Sequence, residues 1–167
     1  MGKSGICCKG HARYSPLMDD RQTMEKSAGK RLALIAESFE RLVGRPLVEI
    51  GSDIWTMPAA LVAHGTEDPP LFFYGNRQAL TLFRLSAEDF IGLPSYKSAE
   101  PALREERAAM LTRLEAENVI TDYHGIRIAA DGTRFRIHNA VVWNLVEENG
   151  QRHGQAATFG AWEMLPD

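Results

Sequence analysis

The stretch LFFYGNRQALTLF, residues 71–83, changes from a strand pattern to a helix pattern within a few residues. Its first part is a run of apolar and aromatic residues, which is typical of a buried strand, and Ala79, Leu80 and Phe83 then recur at helical spacing. Asn76 stands at the change, where its side chain can accept a hydrogen bond from a free amide of a first helical turn. The stretch therefore predicts a strand, an Asn76 cap and a helix.

The residues on either side of this stretch predict further short elements. AALVAH, residues 59–64, reads as a buried strand, and GTEDPP, residues 65–70, has the composition of a turn that would pair it antiparallel with the next strand. Ser86, three residues before Asp89, predicts the start of a second short helix, which Gly92 ends.

The rest of the chain predicts one longer helix and a three-stranded meander. The helix follows Pro101, and its apolar face carries Leu103, Met110, Leu111 and Leu114. Three β-rich runs follow at residues 120–132, 133–150 and 151–162, separated by the turn signals ADG and ENG. The chain therefore predicts an α+β fold: a five-stranded antiparallel sheet with short helices on one face.

The front of the chain predicts an arm and an extra helix. Residues 1–22 have no periodic apolar pattern and are predicted as a flexible N-terminal arm. From Ser27 onward, apolar residues recur at intervals of three and four, which indicates an amphipathic helix that ends at Gly44. The predicted divisions are the arm, an N-terminal helix and connection at residues 23–57, and the main domain at residues 58–167.

Composition excludes several classes of protein. The chain is 44% hydrophobic and 25% charged, with a net charge of −3 and a pI of about 6.0, as in an ordinary globular domain. No stripe of Lys and Arg suits nucleic acid, and no apolar run reaches the roughly 20 residues that span a bilayer. The expected partners therefore include neither nucleic acid nor membrane, and the expected location is cytoplasmic. Cys7 and Cys8 are too few for a structural zinc site, and their role is left open.

Several motifs carry a family resemblance. FFYGNRQALTLFRLSAEDFIG is similar to the opening of PAS domains, and the order of predicted elements is theirs. HGTEDPPLFFYGN, LPSYKSAEP, REER, VWNL and GQAATF further resemble the MEKHLA domain, a PAS-related family of bacteria and of plant homeodomain proteins. The resemblance covers residues 58–162. It implies a PAS-like fold and a role in sensing or partner contact, and it implies no particular reaction.

The sequence does not identify a cofactor. LPSYKSAEP lacks the reactive Cys that the covalent flavin photosensors of the PAS class need, which excludes that photocycle. Haem would need an axial ligand, and His64, His124, His138 and His153 are available, but their spacing identifies neither haem nor a metal site. The sequence therefore leaves the cofactor unknown, and no metal is expected.

The strand RFRIHNAVVWNL, residues 134–145, suggests a cavity. Strict alternation would point one row inward: Phe135, Ile137, Asn139, Val141, Trp143 and Leu145. A buried Asn139 would need a hydrogen-bond partner, which could be a ligand, the protein or a water molecule. A register shift of one residue would instead bring His138 and Asn144 inward.

Two further regions contribute candidate ligand contacts. Tyr74 and Asn76 end the second strand at the expected mouth of the cavity, although capping alone would also explain Asn76. The last strand alternates small residues with Gln155 and leaves room for a ligand or a helix. REER, residues 104–107, is expected to be a solvated, salt-bridged helix face. The predicted ligand-binding residues are Tyr74, Asn76, His138, Asn139, Trp143 and Gln155.

The resulting functional expectation is a stand-alone PAS-like sensory module. It would bind a small molecule in its cavity and signal through contact with an unidentified effector protein, as a homodimer that associates through the leading helix. One alternative is a ligand-free dimerisation or interaction module. The other is a small cavity enzyme of isomerase or hydratase type, with Asp122, His124 or His138 as proton carrier. No catalytic motif is present, so no catalytic residue is assigned.

Overall fold

The computed structural model describes residues 16–100 and 103–167. In chain order its helices and strands are α1 Pro16–Ala28, α2 Arg31–Val43, β1 Ala60–His64, β2 Phe72–Gly75, α3 Arg77–Phe83, α4 Ala87–Phe90, a 3-10 turn Ser95–Ser98, α5 Arg104–Glu117, β3 Val119–Ile128, β4 Arg134–Val146, β5 Arg152–Phe159 and β6 Ala161–Met164.

The strands form one antiparallel sheet in the order β2-β1-β5-β4-β3. This confirms the predicted α+β, PAS-like fold. The last β-rich run is split at Gly160, which adds a sixth strand. β5 pairs with the second half of β4, from Val141 to Val146, and β6 pairs with the first half, from Phe135 to His138.

Asn76 caps α3 as predicted and also joins two other segments. Its Oδ1 accepts hydrogen bonds from the Ala79 amide at 3.1 Å and the Leu61 amide at 3.0 Å. Its Nδ2 donates to the carbonyls of Ile54 and Ala59 at 3.0 and 2.9 Å. Because the side chain is fully buried and bonded at both ends, it fixes β1, α3 and the preceding connection relative to one another.

Short helices cover the inner face of the sheet. Phe72 of β2 stacks on Phe90 of α4 with ring centroids 4.5 Å apart. Phe83 of α3 meets Phe135 of β4 edge to face at 5.3 Å. These aromatic contacts close one end of the inner face, and α5 lies over β3 and β4 at the other.

The two N-terminal helices cover the outer face. Phe39 of α2 packs edge to face on Trp143 of β4, with centroids 4.9 Å apart, and the Trp143 indole donates to the Ser38 hydroxyl at 3.2 Å. In α1, Met24 is fully buried and the Ser27 hydroxyl donates to the Phe73 carbonyl at 2.7 Å. The apolar side of this helix pair is therefore buried against the chain's own sheet.

The predicted boundaries at the front of the chain need correction. The flexible arm was predicted to extend to residue 22, but α1 begins at Pro16, and Asp20 accepts a hydrogen bond from the Ala87 amide at 2.9 Å. The leading helix is two helices, because Gly29 has a left-handed φ of 55° between them. The remaining part of the arm, with Cys7 and Cys8, lies outside the described residues.

The predicted alternation along β4 is wrong from Asn139 onward. Asn139 is exposed and has a left-handed φ of 52°, and the pairing with β3 is irregular beside it. The irregularity is a bulge, which moves the following residues to the opposite face. Val142 and Asn144 therefore point inward, whereas Trp143 points outward to α2.

The caps Asn76 of α3 and Ser86 of α4 give a matched test of whether Asn76 also joins neighbouring segments. We expect Asn76→Ala to lower the free energy of unfolding by on the order of 3 kcal/mol, because four buried backbone groups lose their partner. Ser86→Ala removes an exposed cap bond to the Asp89 amide and should cost about 1 kcal/mol. Urea unfolding of both variants measures the difference, and equal losses would show that Asn76 acts as a cap alone.

Candidate functional site

A small cavity of about 50 Å³ lies between the inner face of the sheet and α5. Its apolar wall comes from the sheet, from α3 and from the sheet-facing side of α5, where Met110 and Leu111 contribute. Its polar lining is His64, Ser98, Arg107, Tyr123, Arg127 and Gln155. The cavity thus combines an apolar wall with several convergent polar groups, as ligand sites do.

Arg107 of α5 is the most unusual residue of this lining. Only 9% of it is exposed, and its Nη2 donates to the Ser95 hydroxyl at 2.7 Å. Among the described residues it has no ion-pair partner. Burial, together with a smaller contribution from the neighbouring Arg127 guanidinium, lowers the pKa of Arg107 to about 10. A cation is thus held inside the domain without a compensating protein charge.

A second guanidinium, that of Arg127 on β3, also lines the cavity. Its Nη2 donates to the Tyr123 hydroxyl at 3.1 Å, and its Nη1 donates to the Ile126 carbonyl at 2.9 Å. Both contacts are neutral groups, so they orient Arg127 without neutralising its charge.

His64 and Gln155 form a polar row on neighbouring strands of the sheet. They pair across β1 and β5, and Gln155 also pairs with Asn144 of β4. Nδ1 of His64 lies 3.0 Å from the Gly65 carbonyl, which can only accept, so Nδ1 carries the proton and Nε2 is an acceptor. Burial is the main cause that lowers the pKa of His64 to about 4, and this histidine is neutral near pH 7.

Gly154, near the start of β5, allows β5 to lie close enough to β1 for His64 and Gln155 to pair. Its φ is 140°, and a Cβ on it would lie 2.0 Å from the His64 carbonyl oxygen. Any side chain there would force β5 away from β1. The glycine therefore keeps His64 and Gln155 beside each other.

The sequence model of the MEKHLA domain matches residues 30–164, which is most of the chain. This chain belongs to the MEKHLA domain family. The match begins within the connection between α1 and α2, so the family domain includes α2 as well as the sheet. A comparison with curated proteins found no match.

Solved structures with this fold are PAS and LOV domains. The PAS domain of a protein from Colwellia psychrerythraea is 19% identical, has a TM-score of 0.56, and the alignment covers 66% of this chain and 89% of that one. The light-state dimer of the fungal blue-light photoreceptor Vivid is 14% identical at a TM-score of 0.54, covering 74% and 91%. A fungal LOV domain photoreceptor is 14% identical at 0.55, covering 83% and 94%. At these identities the similarity shows the fold.

Of the six predicted ligand contacts in this MEKHLA domain, Gln155 lines the cavity. Asn139 projects to solvent and Trp143 faces α2, because of the bulge in β4. His138 is half-buried with its Nε2 3.6 Å from a Glu163 carboxylate oxygen, and its ring lies beside that of His124. None of these three side chains lines the cavity, the alternation that placed Asn139 and Trp143 there is wrong, and a ligand-binding role for the three stays a prediction.

The two residues at the end of β2 also lie away from the cavity. Tyr74 is buried on the α1 side of the sheet, and burial raises the pKa of its hydroxyl, with the carboxylates of Glu25 and Asp53 acting in the same direction. The donors and acceptors of Asn76 are occupied by four backbone groups. Both residues therefore support the fold around the cavity and do not line it.

The helical spacing of the sequence indicates that Arg107 is buried, although its charge suggested a solvated position. REER was expected to be a solvated face, and Glu105 and Glu106 are exposed as expected. Arg107, however, precedes Met110 by three residues and Leu114 by seven, which places it on the apolar side of α5. A cation in a helical apolar row indicates a buried polar contact or a ligand.

The size and chemistry of the cavity limit its occupants. Sites for cofactors and drug-sized ligands usually measure about 300–1,000 Å³, so a flavin or haem does not fit beneath α5 in this arrangement. Within residues 16–100 and 103–167, no three His, Cys, Asp or Glu side chains are grouped to hold a metal. A search of the same residues for a helix long and apolar enough to cross a membrane found none.

The buried histidine predicts a specific pH dependence. The folded pKa of about 4 lies below the unfolded value of 6.5, so the unfolded chain binds more protons between these values and stability falls as the pH is lowered through this window. The loss attributable to His64 should total about 3 kcal/mol between pH 7 and pH 4. The free energy of unfolding of the wild type and of His64→Gln, measured by urea at pH 5 to 7, should diverge in slope. Parallel slopes would contradict a buried neutral His64.

Proposed function

We propose that this MEKHLA domain is a sensory module that binds a small molecule in its internal cavity and signals by contact with another protein. The observation that carries the proposal is the set of buried polar groups, Arg107, His64 and Gln155, that line an internal cavity in a PAS fold. Buried polar groups are costly unless they have partners, so their presence around a cavity favours a ligand over a filled core.

β4 offers a physical route for the signal. On its inner side the Asn144 amide donates to the Leu114 carbonyl at 3.0 Å and the Asn118 side chain at 2.9 Å, which joins the strand to the end of α5. On its outer side the adjacent Trp143 contacts Ser38 and Phe39 of α2. A ligand that favours one position of α5 would thereby bias the position of α2 through a population shift.

The outward signal would be received by an effector protein at α1 and α2, with the module acting in the cytoplasm as a homodimer. The apolar side of α2 is buried within its own domain, so we propose that self-association uses the outward side of the helix pair. A related fold supports this proposal, since the fungal photoreceptor Vivid has been crystallised as a light-state dimer. The native mass of the purified protein tests it.

A ligand-free interaction module is the second candidate, and the small volume of the cavity favours it. The cavity-enzyme alternative has less support. Its proposed proton carriers, Asp122, His124 and His138, do not line the cavity, and the first two are exposed. The residues that do line it include one neutral histidine and no carboxylate.

The first experiment is to record native and denaturing mass spectra, with an absorption spectrum, on protein purified without added cofactor. A sensor should carry a small molecule that appears in the native mass and is released on denaturation. A bare chain that also gains no mass from a metabolite extract would favour the interaction module.

A cavity-filling variant tests where the molecule binds. Ala157→Val adds two methyl groups to the cavity wall, and Ala161→Val makes the same change at an exposed position of β6. We expect the first variant to lose the bound molecule while its free energy of unfolding changes by less than about 1.5 kcal/mol. The second should keep the molecule. Retention by Ala157→Val would contradict binding in this cavity.

A further inference from the structure

We propose that the ligand is a small carboxylate whose anionic group is bound by Arg107 and Arg127, an inference that rests on the proposed sensory function. Both guanidiniums line the same cavity, and Gln155 of β5 offers a further amide donor. The remaining lining is largely apolar, which suits a short hydrocarbon group attached to the carboxylate.

The environment of Arg107 offers a cation little compensation beyond one hydrogen bond. The residue lies in the first turn of α5, where the helix dipole is positive. The two acidic residues of that turn, Glu105 and Glu106, are exposed, and neither forms an ion pair with it. Ser95 supplies a single neutral acceptor. An anion in the cavity would provide the missing charge.

Arg127 strengthens the requirement for an anion. The Arg127 charge disfavours that of Arg107, and the neutral His64 ring supplies no negative charge to either guanidinium. An anion placed near both arginines converts a like-charge repulsion into two attractive pairs. A neutral ligand would leave the repulsion unchanged.

The size and lining of the site favour a small carboxylate over other anions. A guanidinium presents parallel N–H groups that match the oxygens of a carboxylate or of a phosphate, so the choice between them rests on the rest of the cavity. The cavity of about 50 Å³ admits only a few non-hydrogen atoms, because a cavity must offer about 10–15 Å³ to hold one water molecule. A phosphate group has the wrong surface for the apolar part of the lining. The structure therefore points to a short-chain monocarboxylate.

Propionate and propionamide provide a matched pair of probes, since they share a size and differ in charge. Each is titrated into the purified full chain at fixed ionic strength, with inorganic phosphate as a third probe, and binding is followed by calorimetry and by the shift in Tm. We expect propionate to bind and to raise Tm, with propionamide and phosphate at least about tenfold weaker. Equal binding of propionamide would overturn the carboxylate assignment but leave the sensory proposal standing, and stronger binding of phosphate would overturn the assignment in favour of another anion.

Two variants test the two cavity arginines, and a third variant, on the same helix as Arg107, serves as the control. Arg107→Gln and Arg127→Gln should each weaken propionate at least about tenfold. Arg113→Gln changes an exposed arginine of α5 that pairs with Glu117, and it should bind propionate as the wild type does. Unchanged affinity in both cavity variants would overturn the proposal, as would a wild-type protein that binds no propionate. If Arg107→Gln fails to fold, Arg127→Gln and the comparison of probes on the wild type still decide.

Discussion

The left-handed backbone at Asn139 controls which side chains of β4 reach the cavity and which reach the N-terminal helices. Before it, Phe135 and Ile137 lie on the inner face of the sheet; after it, Val142 takes that position. The bulge therefore moves Trp143 to the outer face, where it packs on α2. Without the bulge at Asn139, the Trp143 indole would point into the interior, and the outer face of the sheet would lose its main contact with α2.

Because of this exchange of faces, one strand serves two layers. The inner side of β4 contacts the cavity and the end of α5, and the outer side holds the helix pair that covers the sheet. Successive side chains of a strand point to opposite faces, so neighbouring residues of β4 contact both layers. The interior and the helix-covered face of this sheet are therefore joined by adjacent residues of one strand.

The buried polar groups of the interior differ in whether the protein supplies them with partners. Most buried polar groups of this domain have protein partners, as the four hydrogen bonds of Asn76 illustrate. Arg107 differs, because among the described residues its guanidinium contacts one hydroxyl and no carboxylate. The absence of an opposite charge, and not incomplete hydrogen bonding alone, therefore marks Arg107 as a candidate functional group, since Asn144 Oδ1 is also buried without a partner in the described part of the chain.

The sequence by itself determined the order of the elements, the Asn76 cap and the membership of a PAS-related family. These depend on local spacing and on hydrogen bonds between near neighbours, which a linear pattern records. It also marked Gln155 as a cavity residue. The face that each later residue of β4 presents was decided only by the tertiary structure, because a bulge at Asn139 reverses an alternation that the sequence shows as regular. The burial of Arg107 likewise required the fold, since only the packing of α5 on the sheet removes that cation from water.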